Sequence, residues 1–123
     1  MDKTFIIKAN LDQVRQVAKQ KGYTPIQAEI LAQLYALNPL WRHLYNVEAI
    51  LNIKDGYGVR LHTRHSDATV NIDIIYNPVP DLYTVEAYTI ANHIDTVKTY
   101  QAKDVYFDQL LTTIQEALKQ SLR

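Results

Sequence analysis

The chain has 123 residues, no cysteine and a formal net charge of zero. That length suits one domain, expected to span residues 1–123, and the missing cysteine excludes disulfides, thiolate metal sites and cysteine nucleophiles. No run approaches the roughly 18 apolar residues of a membrane span, and the opening MDKTFIIKANLDQ lacks a long apolar stretch, so no signal peptide, no membrane partner and a cytoplasmic location are expected.

Charge is uneven along the chain. Residues 1–66 hold nine Lys/Arg against five Asp/Glu, a net +4, and residues 67–123 hold four against eight, a net −4. The halves are expected to interleave in the fold, so that the asymmetry cancels. Nine tyrosines outnumber one tryptophan and two phenylalanines, which points to half-buried strand faces, where a ring with a polar tip fits.

The first helix is predicted over 11–21. Asn10 stands as N-cap with Gln13 three residues on, and Gly22 ends the helix. Leu11, Val14, Val17 and Ala18 share one face. The preceding TFIIK reads as a short strand or an apolar lead-in. The second helix is predicted over 25–38, with Thr24 as N-cap, Pro25 at the first position and Gln27 at the third. Ile26, Ile30, Leu34 and Leu37 form one stripe, while Leu31 and Tyr35 lie nearly opposite. A helix apolar on most sides belongs in the core or buries its second face against a partner.

Asn38-Pro39 breaks this helix, and PLWRHLYN reads as a short helical turn. From Val47 the period changes to two, which marks a strand. The turn DGYG follows, then strands at about 59–64, 69–76, 82–90 and 96–101, with Asn77-Pro78-Val79-Pro80 as a connection or sheet edge. Asp104 caps a final helix over 105–121. The fold class is therefore α+β: two N-terminal helices, an antiparallel meander of four to five strands, and a C-terminal helix on one sheet face.

The segment GVRLHTRHSDATVNIDI concentrates polar side chains. Folded about His65-Ser66-Asp67-Ala68, it places Thr63, Leu61 and Val59 opposite Val70, Ile72 and Ile74 on an apolar face. Arg64, His62 and Arg60 then oppose Thr69, Asn71 and Asp73 on the other. Arg60 and Asp73 become a cross-strand ion pair worth about 0.2–1 kcal/mol. On a strand, His62 and His65 point to opposite faces, and Arg60 and Arg64 oppose a nearby cation, so no metal is expected. Ser66 beside His65 makes no nucleophile elbow, and there is no Gly-rich phosphate loop. His43 and His93 receive no role.

Three segments resemble known motifs. VRQVAKQKGYTPIQAEILAQL, residues 14–34, resembles a helix-turn-helix in its alanine-to-glycine spacing at Ala18 and Gly22. The hairpin 59–76 would then resemble the wing of a winged-helix domain. That resemblance implies nucleic-acid binding, with Arg60, His62, Arg64 and His65 facing phosphates. The second helix departs from it: it has no Arg or Lys, leaving Gln27 and Gln33 as base readers. Pro80-Asp81 with Glu86-Ala87-Tyr88 resembles the PD…ExK pattern of restriction-type nucleases, but a tyrosine stands where that pattern has lysine and the acidic residues lie too close together.

By elimination the sequence reads as a small non-catalytic interaction or regulatory protein that acts through protein–protein contacts, with a protein partner or a homodimer. Nucleic-acid binding through 14–34 and the hairpin is the alternative. Arg60, His62, Arg64 and His65 are the candidate contact patch in either case. No catalytic residue, cofactor, metal or small-molecule ligand is expected.

Overall fold

The computed structural model describes residues 3–66, 68–91 and 95–122, with the backbone alone for 3–10, 91 and 95. Helix α1 spans Lys3–Gln20. It begins well before the predicted start, so Asn10 lies inside it and TFIIK is neither strand nor lead-in. Neither proline nor glycine interrupts residues 3–20, and a cap preference of about 1 kcal/mol is too small to stop a helix that can continue. Gly22, at φ 92°, supplies the left-handed residue that turns the chain.

Helix α2 spans Pro25–Leu37 and has the predicted start. The Thr24 side chain accepts from the Gln27 N–H at 3.2 Å, and the Gln27 side chain accepts from the Thr24 N–H at 2.9 Å. Ala28, Ile30, Leu31, Ala32 and Leu34 are all buried, because α1 packs on one side of α2 and the sheet on another. The second apolar face of α2 is thus mostly covered within the chain, with a crevice left beside Leu31 and Tyr35. The short α3, Trp41–Leu44, follows the Asn38-Pro39 break and packs on the first strand.

The sheet has five antiparallel strands in the order β1-β2-β3-β4-β5: β1 Val47–Ile53, β2 Gly58–His65, β3 Ala68–Asn77, β4 Leu82–Ala91 and β5 Asp95–Val105. The β2–β3 register is the predicted one at every pair, from Val59↔Ile74 to Arg64↔Thr69. Val59, Leu61, Val70, Ile72 and Ile74 are fully buried, together with Val85 and Ala87 of β4. They meet α2 and the C-terminal helix α4, Leu110–Ser121, which packs on β3, β4 and β5. Leu110, Ile114, Ala117 and Leu118 are its buried side. Among the described residues no helix is long and apolar enough to cross a membrane.

Besides the start of α1, the end of β5 and the register of β1 differ from the sequence reading. Asp104 caps no helix: β5 continues to Val105, which pairs with Tyr83, and Asp104 takes a left-handed φ of 57° at a register shift. Aspartate tolerates that conformation better than most residues. A 3₁₀ turn, Phe107–Gln109, then leads into α4. In β1 a bulge at Glu48 shifts the register between Val47 and Ala49. Val47 and Ile50 therefore face the helices, while Ala49, Leu51 and Ile53 face the other way. A one-residue slip of this kind reverses every later side chain.

Candidate functional site: the open face of the sheet

The helices cover one face of the sheet. On the opposite face the register sets side chains in rows that run across the strands. One row is Ile53, Gly58, Ile75 and Thr84. The next is Leu51, Arg60, Asp73, Glu86 and Gln101. The third is Ala49, His62, Asn71, Tyr88 and Lys98, and the fourth is Arg64, Thr69, Ile90 and Thr96.

Asp73 and Glu86 stand directly opposite each other on β3 and β4, an arrangement that costs energy between like charges. Cations from the flanking strands offset it. Arg60 of β2 grips Asp73 with two bonds, Nε to Oδ1 at 2.7 Å and Nη2 to Oδ2 at 2.9 Å. Lys98 of β5 reaches Glu86 Oε2 at 3.0 Å, and the Tyr88 hydroxyl donates to the same oxygen. The Lys98 ammonium also lies 5.7 Å from the centre of the Tyr88 ring, within cation–π range. The Asp73 side chain is only 4% exposed although no helix covers it, against 36% for Arg60. His62 Nδ1 lies 2.8 Å from Asn71 Oδ1, and Arg64 approaches Glu48 at 3.8 Å.

These contacts hold charge states in place. Hydrogen bonding to Asp73 raises the Arg60 guanidinium further. Burial alone would push the Glu86 carboxyl up, but the donors Tyr88 and Lys98 and the charges of Lys98 and Lys54 outweigh it and leave it below the usual range. The bond to Glu86 raises the Tyr88 hydroxyl and the Lys98 ammonium.

Of the four residues singled out in the sequence, Arg60, His62 and Arg64 share this open face and His65 does not. His65 lies on the helix side, with Nε2 2.9 Å from the hydroxyl of buried Thr63, and burial holds its imidazole below the usual histidine range. His62 and His65 are thus separated by the sheet. Among the described residues no three His, Asp or Glu side chains gather as a metal would need. Asp81 and Glu86 are separated as well: Asp81 accepts from Tyr76 beside α2, whereas Glu86 is on the open face. His43 belongs to α3, and Asp67 and His93 lie outside the described residues.

The helix-turn-helix segment has the expected helix, turn and helix, but the side chains that would read bases are occupied. Gln27 is buried and donates to the Gly58 carbonyl at 2.9 Å. Gln33 accepts from Tyr83 at 2.7 Å, a tyrosine whose hydroxyl burial pushes up to about 12. Strands β2 and β3 lie inside the sheet rather than projecting as a wing.

Reading the sequence strand by strand misses Glu86, Tyr88 and Lys98 as members of this face. The alternation of Thr84, Glu86 and Tyr88 with Val85 and Ala87 carries the signal for β4. Lys98 joins only through the register shift near Ala87 and Tyr88, which the sequence pattern does not mark. No protein-family model, curated protein or solved structure matches the chain.

Proposed function

We propose that the chain is a non-catalytic interaction protein of the cytoplasm, and that the open face of the sheet is where a protein partner or a second copy docks. The observation that carries this reading is the geometry of that face: no helix covers it, Leu51 stands 48% exposed beside Arg60, and the pairs Arg60–Asp73 and Lys98–Glu86 hold their charges in fixed positions. The directions of the pKa shifts agree with it. Arg60 and Lys98 are raised, Glu86 is lowered and Tyr88 is raised. Every one of these moves away from neutrality. A general acid or base works best with a pKa near the operating pH, so these groups suit fixed charge recognition better than proton transfer. Arginine and tyrosine are also types that protein contact surfaces favour.

Nucleic-acid binding ranks second. Its phosphates would have to draw Arg60 from Asp73 and Arg64 from Glu48, which works against the counterion-release gain that drives such binding.

Leu51 tests the proposal, because it is on the open face of an edge strand and 48% exposed. Leu51→Asp should keep the far-UV spectrum and melting temperature of the wild type. It should abolish self-association in sedimentation equilibrium, or retention of the protein that the wild type captures from extract. Equal behaviour of the two proteins, or a wild type that is monomeric and captures nothing, contradicts the proposal.

A further inference from the structure

A second feature lies on the other side of the molecule. Helix α1 rests on α2 rather than on the sheet, and a crevice of about 290 Å³ remains between the two helices, α3 and β1. Val14, Leu31, Tyr35 and Ile50 give it apolar walls, and Lys21 and Arg42 bring two cations to it. Tyr23 also borders it, but its hydroxyl is occupied, donating to the Ile50 carbonyl at 2.8 Å. The volume falls just below the usual range for small-molecule sites, about 300–1,000 Å³, so the ligand it fits is a small one.

The charges give the crevice its chemistry. Among the described residues Arg15 holds Asp12 and Glu29, Arg60 holds Asp73, and Arg64 reaches Glu48. Arg42 has no carboxylate among them, and neither has Lys21. No acidic residue lines the crevice. An open crevice with apolar walls, two cations and no anion is complementary to a ligand with an apolar body and a negative charge. We propose that this crevice binds a small amphiphilic carboxylate, its apolar body against Val14, Leu31, Tyr35 and Ile50 and its charge at Lys21 and Arg42. The site is independent of the open sheet face, and it departs from the sequence expectation of no small-molecule ligand. Its residues come from four separate elements and the α1–α2 turn, so no local motif announces it.

The chain carries its own reporter. Trp41 is the single tryptophan. It is fully buried and packs edge-to-face on the crevice residue Tyr35, ring centres 5.5 Å apart. Sodium octanoate, kept below its micelle range, is titrated into the full chain. Trp41 emission and the methyl NMR signals of Leu31 and Ile50 are followed. 1-Octanol supplies the same body without charge, and acetate supplies the charge without the body. Saturable octanoate shifts at both methyls are expected, with acetate moving neither. Lys21→Gln with Arg42→Gln should weaken octanoate by at least about tenfold, the scale of a lost charge-assisted contact, and leave octanol unchanged. Should the double variant lose its native spectrum, the salt dependence of the wild type decides, because octanoate affinity at such an exposed site must fall as salt rises. Absent or unsaturable methyl shifts, equal affinity for octanoate and octanol, or an affinity indifferent to both the substitutions and salt would overturn the proposal.

Discussion

At the scale of single residues, the pair Arg60–Asp73 shows how a polar side chain can be buried on an uncovered face. The carboxylate accepts two guanidinium bonds and its side chain is nearly shut off from water, while the Arg60 side chain keeps about a third of its surface exposed. The two partners are therefore unequal. Removing Arg60 strands a buried carboxylate opposite Glu86, whereas removing the charge of Asp73 leaves a cation that can turn to solvent. Arg60→Ala should cost about 2–3 kcal/mol and Asp73→Asn about 1 kcal/mol, as an unpaired buried charge costs more than a resolvated exposed one. Urea unfolding of both variants checks the order, and equal losses would contradict it. Gln27 works in the same economical way, since one amide completes the α2 cap and ties α2 to β2 through the Gly58 carbonyl.

At the scale of elements, the row Arg60, Asp73, Glu86 links three strands, and Lys98 brings in the fourth. Glu86 makes this linkage pH-dependent. Its folded-state pKa lies below that of the unfolded chain, so its contribution is present above the ordinary glutamate range and is lost as pH falls through the folded value. The gap in urea midpoint between wild type and Glu86→Gln should be open at pH 7 and close below about pH 4. A gap that stays constant across that range would show that the carboxylate charge contributes nothing. The strands that build this row were legible because period-two alternation and one turn determine a hairpin register, and Val59 to Ile74 obey both. The start of α2 was legible because Thr24, Pro25 and Gln27 act within one turn. Other features depend on distant packing. Residues 3–10 extend a helix past a good cap. The Glu48 bulge turns Leu51 to the open face. Asp104 serves a strand irregularity rather than a helix start. Of the candidate patch, Arg60, His62 and Arg64 followed from alternation, and His65 fell on the other face by the same rule.

At the scale of the molecule, the meander decides what becomes of the charge asymmetry. The boundary between the +4 and −4 halves falls between β2 and β3. The basic half supplies α1, α2, α3, β1 and β2, and the acidic half supplies β3, β4, β5 and α4. The halves lie side by side instead of interleaving, contrary to the expectation from sequence. A protein of zero net charge built this way should be retained at pH 7 and low salt by both a cation exchanger and an anion exchanger, and released from both by salt. Passage through both columns would mean that the polarity is cancelled locally. The same arrangement leaves the open face across the centre of the sheet, where both halves contribute, and the central claim is that this face is the contact surface. Photo-crosslinking in intact cells tests it most directly, with a benzophenone side chain at Leu51 in one variant and at Lys119, exposed on α4, in another. The account predicts a discrete crosslinked species, a partner or a second copy, from position 51 and none from position 119. The same product from both positions, or a product from 119 alone, would contradict it.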